Sequence, residues 1–150
     1  EMKIERTLWL LCVGVLALSA SACVRYYDTA KIRGSLIKSR RSMGKALVKT
    51  SQLDAMLRTR FGSRVEGPEL LEMRRCVALM KKQEIELRKL YDEFRGIARG
   101  RSKVREDRPG WREVTDLKER YKQLVERIKA NLARYKSAGQ RLKATLRRRR

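Results

Sequence analysis

The chain has 150 residues, 37 % of them charged, with 39 Lys and Arg against 17 Asp and Glu, no histidine and a formal net charge of +22. That length allows one domain with a modest core. No glycine-rich phosphate loop or nucleophile elbow is present, and without histidine nothing supports acid–base, metal or covalent catalysis. The expectation is a protein that is not an enzyme and carries neither cofactor nor metal.

In chain order, the first feature is the apolar run Leu8–Leu18, eleven residues preceded by Lys3 and Arg6 and followed by Ser19-Ala20-Ser21-Ala22-Cys23. A charged start, a short apolar middle and a small-residue cleavage site form the layout of a secretory signal. Ala20-Ser21-Ala22-Cys23 also resembles the lipobox of bacterial lipoproteins, with Ala20 standing where leucine is usual. That resemblance implies cleavage before Cys23 and acylation of its thiol, which would anchor the mature chain in membrane lipid. Simple secretion by the same cut is an alternative. So is an uncleaved anchor, because the apolar stretch reaches seventeen residues at Val24, the lower limit for a span. The basic flank from Arg25 to Arg41 would then favour a cytoplasmic bundle.

The chain accordingly divides into a signal peptide (1–22), a lipid-anchored linker (23–34) and a helical bundle with a basic C-terminal tail (35–150). Tyr26 and Tyr27 suit either the headgroup level, where amphipathic rings are favoured, or the start of the core. Cys12 leaves with the signal and Cys23 is lipidated, so Cys76 stands alone as a small buried hydrophobe rather than part of a disulfide framework.

Helical spacing begins at residue 29. Over 29–61, Leu36, Met43, Leu47, Leu53, Met56, Leu57 and Phe61 recur at helical spacing, giving one apolar stripe. From Lys31 to Arg60 the only acid is Asp54, against nine bases. Residues 62–67 supply a turn. Pro68 and Glu69 then mark a second helix start, with proline at the first position and acid in the first turn. Leu70, Met73, Val77, Met80, Leu87, Tyr91, Phe94 and Ala98 read as a coiled-coil seam. Glu84 interrupts it, and an ion pair with Arg127 or Lys45 is expected there. Residues 99–110 read as a polar connection, either a solvated linker or a basic binding loop.

The third helix, 110–147, carries a heptad repeat: Arg120-Tyr121-Lys122, Arg127-Ile128-Lys129, Arg134-Tyr135-Lys136 and Arg141-Leu142-Lys143. Leu117 and Leu124 fill the other seam position, which weakens to Asn131 and Ala138. Leu132 and Leu146 are expected to take over as the stripe drifts toward the period of a straight helix. Two cationic rows flank the seam, and Arg147, Arg148, Arg149 and Arg150 end the sequence. No segment reads as a strand.

The expected fold is all-α, an antiparallel three-helix bundle or coiled coil after an N-terminal signal peptide. The candidate anion-binding residues are the eight Arg and Lys of the repeat and the terminal arginines. The mature part resembles small helical envelope lipoproteins such as the murein lipoprotein. It ends in arginines instead of that family's lysine, so attachment to the wall would be noncovalent. Two functions follow. One is a periplasmic, outer-membrane-type scaffold binding peptidoglycan, lipopolysaccharide, anionic lipid, a protein partner or further copies of itself. The other is a membrane-anchored cytoplasmic module binding nucleic acid or ribosomes. With no groove-reading motif, sequence-specific recognition is not expected.

Overall fold

The computed structural model describes residues 24–62 and 67–148. The expected signal peptide and the expected acylation site at Cys23, like Arg149 and Arg150, lie outside the described residues. Three antiparallel helices form the bundle: α1 (Thr29–Phe61), α2 (Pro68–Ala98) and α3 (Trp111–Arg148). At 1.5 Å per residue they are about 45–57 Å long. The local signals explain the boundaries. The Asp28 carboxylate accepts a hydrogen bond from the Lys31 backbone N–H at 3.1 Å and caps α1. Pro68 and Glu69 open α2, and Arg99 and Gly100 end it in left-handed conformations at φ 42° and 77°.

The connection between α2 and α3 is not a solvated linker. It contains a strand, β2 (Lys103–Arg105), paired antiparallel with β1 (Tyr26–Asp28) ahead of α1. Aromatic and β-branched residues favour such a ribbon once it has a core face, and here Val104 is 1 % exposed while Tyr27 stacks on Trp111 at 4.2 Å. Period-two alternation over three residues is too short a signal to stand out from a basic loop. For the same reason residues 26–34 are not a free linker, being β1 and the first turns of α1.

The backbones of α2 and α3 pack most closely, then α1 and α2, while α1 and α3 meet mainly through side chains. One such contact joins Ser39 Oγ to Tyr121 OH at 2.6 Å. The seam of α2 differs from the expected one. Met73, Met80, Leu87 and Phe94 are inside, but their buried companions are Cys76, Gln83 and Leu90 instead of Val77, Glu84 and Tyr91. Both columns alternate by three and four with the shared residues, so spacing fits either. The second column lies toward α1, where Arg40 stacks over the Tyr91 ring at 5.3 Å. Among the described residues Glu84 reaches only Arg88 of its own helix, at 3.6 Å; it pairs with neither Arg127 nor Lys45.

In α3 the expected drift does not occur. Leu117, Leu124, Asn131 and Ala138 stay buried at seven-residue spacing, with Leu132 and Leu146 only partly covered. The interior forms two clusters, a long one from Val104 and Phe94 to Cys76 and a shorter one around Leu70, Met73, Ala138 and Leu142, with Tyr135 touching both. A fully buried leucine contributes about 2 kcal/mol, and Leu36, Leu87, Leu117 and Leu124 are each wholly enclosed.

Candidate anion-binding surface

The two cationic rows of α3 have different surroundings. The arginine row lies against α2, whose acids recur at the same seven-residue interval in the opposite direction. Arg120 pairs with Glu93, Arg127 with Glu86 at 2.8 Å and Arg141 with Glu72 at 2.7 Å. Arg120 also holds Asp116 at 2.9 Å, and its hydrogen bond to Glu93 pushes the guanidinium pKa above its ordinary value. The antiparallel register puts position 79 opposite Arg134, and that residue is Leu79, 42 % exposed. Arg134 therefore stretches to Glu72, at 3.7 Å. This row is a ladder between helices with one rung missing.

The lysine row lies on the other side of the α3 seam, and all four of its members are exposed. Lys129 pairs with Glu126 of its own helix at 2.8 Å; among the described residues, Lys122, Lys136 and Lys143 have no ion-pair partner. The α1 helix extends this cationic surface, its one acid, Asp54, being engaged by Arg58 at 2.8 Å and Arg74 at 3.0 Å. Burial works to raise the Asp54 pKa, but its bonds to Arg74 and the charges of both arginines hold it below the usual 3.8.

Because α1 and α3 are spaced apart, a groove runs between them. Near the ribbon it widens to a recess of about 570 Å³ bordered by Lys31, Lys118 and Tyr121, with Lys118 Nζ 4.3 Å above the Tyr27 ring. Toward the far end a second recess, about 440 Å³, is lined by Leu57, Phe61 and Leu142 and edged by Arg60, Lys143 and Arg147. Apolar walls with cations along the rim suit ligands that combine hydrocarbon with negative charge. A third recess, about 330 Å³, opens between α1 and α2 beside Asp54, Arg74 and Tyr135, whose phenol pKa is raised chiefly by burial.

The candidate residues thus do not act as one group. Lys143 and Arg147 border the groove, Lys122 lines a shallow recess beside Tyr121 and Val125, and Lys129 and Lys136 are exposed along the same row, whereas the four arginines of the repeat face α2. Lys31, Arg60 and Lys118 join the same surface and were not singled out from sequence. Nine bases against one acid in α1 was the available signal, but it does not say which of them border α3. Cys76 is 1 % exposed, and burial raises its thiol pKa.

Among the described residues, no group of acids, histidines and cysteines is placed to hold a metal, and no helix is long and apolar enough to cross a membrane. The fold and surface define an all-α bundle with one strongly cationic side. No family model, curated protein or solved structure matches this chain.

Proposed function

We propose that the protein is a lipid-anchored helical component of the bacterial cell envelope, with a structural or scaffolding role, whose bundle binds anionic envelope material noncovalently. The observation that carries this reading is the segregation of charge. The arginine row of α3 is matched by acids of α2, while the α1–α3 side is bordered by lysines and arginines with almost no acid to neutralise them. A surface kept cationic in this way attracts polyanions in general, and the lipobox-like Ala20–Cys23 segment supports the envelope location.

Intact cells labelled with a palmitate analogue test the anchor. The label is expected on the wild-type chain and absent from Cys23→Ser, with mass spectrometry finding a mature chain that begins at acylated Cys23. Recovery of an unmodified chain retaining residues 1–22, its bundle shielded from external protease, would instead favour the cytoplasmic, nucleic-acid-binding alternative.

A further inference from the structure

The ribbon fixes where the chain preceding it leaves the bundle. Tyr26 pairs with Arg105, Tyr27 with Val104 and Asp28 with Lys103. The pairing continues at both ends: the Glu106 N–H donates to Arg25 O at 3.0 Å and the Thr29 N–H to Ser102 O at 3.1 Å. Thr29 Oγ also donates to Arg101 O and Ser102 O, and Thr29 is buried. The chain is therefore attached to the α2–α3 connection from Arg25 onward. Arg25 is two positions after Cys23, a reach of at most ~7 Å when fully extended. The headgroup layer of a bilayer is itself about 5–8 Å deep. An acyl anchor at Cys23 would leave no room for this end of the bundle to stand away from the membrane.

The surface at this end suits that position. Tyr27 and Val104 face inward, while Tyr26, Asp28, Lys103 and Arg105 form the outer face of the ribbon. Tyr26 is 55 % exposed with Lys103 Nζ 4.4 Å over its ring, and Val24 is also exposed. Residues 24–28 and 99–110 carry six bases, Arg25, Arg99, Arg101, Lys103, Arg105 and Arg108, against three acids. One of those acids, Asp107, is held by Arg105 at 3.1 Å, and Asp28 caps α1. Arg25, Lys103 and Arg108 make no ion pair among the described residues. An exposed tyrosine beside unpaired cations matches the chemistry of the lipid–water interface.

We infer that the β1–β2 end of the bundle is a membrane-contacting face that binds anionic lipid headgroups and holds the helices upright on the surface. This rests on the lipid-anchor reading and adds the orientation and the lipid charge. The α1–α3 groove, which runs away from this end, then stays free for other anionic material.

Trp111, stacked on Tyr27 at this end, reports the contact, and Trp9→Phe leaves it the only tryptophan. The full chain recovered from membranes is reconstituted into vesicles of phosphatidylcholine, with or without phosphatidylglycerol, carrying a headgroup-level nitroxide quencher. Stronger quenching of Trp111 in the anionic vesicles is expected. Arg25→Gln/Lys103→Gln/Arg108→Gln should remove about half of that excess, since each base contributes separately to surface attraction. Circular dichroism checks that the variant remains helical, and the comparison of lipids needs no variant. A chain that stays with the vesicles in high salt while Trp111 is unquenched overturns the inference and leaves the anchor reading intact. Equal quenching in both lipids overturns the recognition of charge. A chain washed off by salt, yet quenched in anionic vesicles at low salt, supports the headgroup face and overturns the anchor.

Discussion

Asn131 and Gln83 are 4 % and 7 % exposed, and they meet where the two apolar clusters adjoin. Asn131 Nδ2 donates to Cys76 O at 2.9 Å and to Gln83 Oε1 at 3.4 Å, which sets the amide orientation and leaves Asn131 Oδ1 without a partner among the described residues. Such a pair stabilises little against water but costs more to break from one side than to remove whole. Asn131→Leu alone should therefore lower stability by about 1–3 kcal/mol, because Gln83 Oε1 loses its donor in the core. Adding Gln83→Leu should recover most of that loss in thermal melts. The double variant should also show a broader range of assemblies by sedimentation, because buried polar seam positions restrict register and oligomer state. If the single and double variants melt at the same temperature, the side chains do not interact as a pair.

At the scale of elements, α2 and α3 are joined by a charge ladder as well as by their seam, and the missing rung offers a test. Leu79→Glu would give Arg134 a partner at the position where Glu72, Glu86 and Glu93 serve the other three arginines. It also removes an exposed leucine. A gain of roughly 0.2–1 kcal/mol is expected at low salt, vanishing at high salt, as for other exposed pairs. Loss of stability at low salt would show that Leu79 packs usefully and that the register assigned to the ladder is wrong. The arginine repeat was visible in the sequence, and so was the antiparallel bundle, because three long stretches with apolar residues at helical spacing admit few other arrangements. The partners of the arginines were not, since that requires knowing which column of α2 faces α3. Met73, Met80, Leu87 and Phe94 belong to two equally regular seams, and only packing against two neighbours puts Cys76, Gln83 and Leu90 inside and leaves Glu84 at a groove edge. The ribbon was hidden for another reason. Its strands are 77 residues apart at their first residues, Tyr26 and Lys103, and three residues long, so neither carries a local signature. Lys143 at the groove is legible from the repeat, while Lys31, Arg60 and Lys118 come into its company only through the fold.

For the whole molecule, the net charge matters less than where its compensation falls. Acids accumulate on α2 and the first half of α3, and none follows Glu126. The α1–α3 side consequently keeps its field, and in about 0.1 M salt that field extends roughly 10 Å before screening removes it. Affinity of this side for peptidoglycan should accordingly fall steeply as salt is raised. The two rows of α3 allow this binding to be separated from folding. Replacing Lys122, Lys129, Lys136 and Lys143 by glutamine removes charges that make only one ion pair among the described residues, the same-helix contact to Glu126. The melting temperature should barely change while binding and its salt dependence weaken. Replacing Arg120, Arg127, Arg134 and Arg141 by glutamine removes the ladder to α2. That variant should lose about 1–3 kcal/mol of stability, summing exposed pairs at several tenths each, while binding by the folded fraction is largely retained. Sedimentation with peptidoglycan, measured beside thermal melts, distinguishes the two. If the arginine variant alone loses binding while still folded, the contact surface is the α2–α3 side and the assignment of the groove fails. If neither variant loses binding, the bases of α1 or of the ribbon end make the contact without the lysine row.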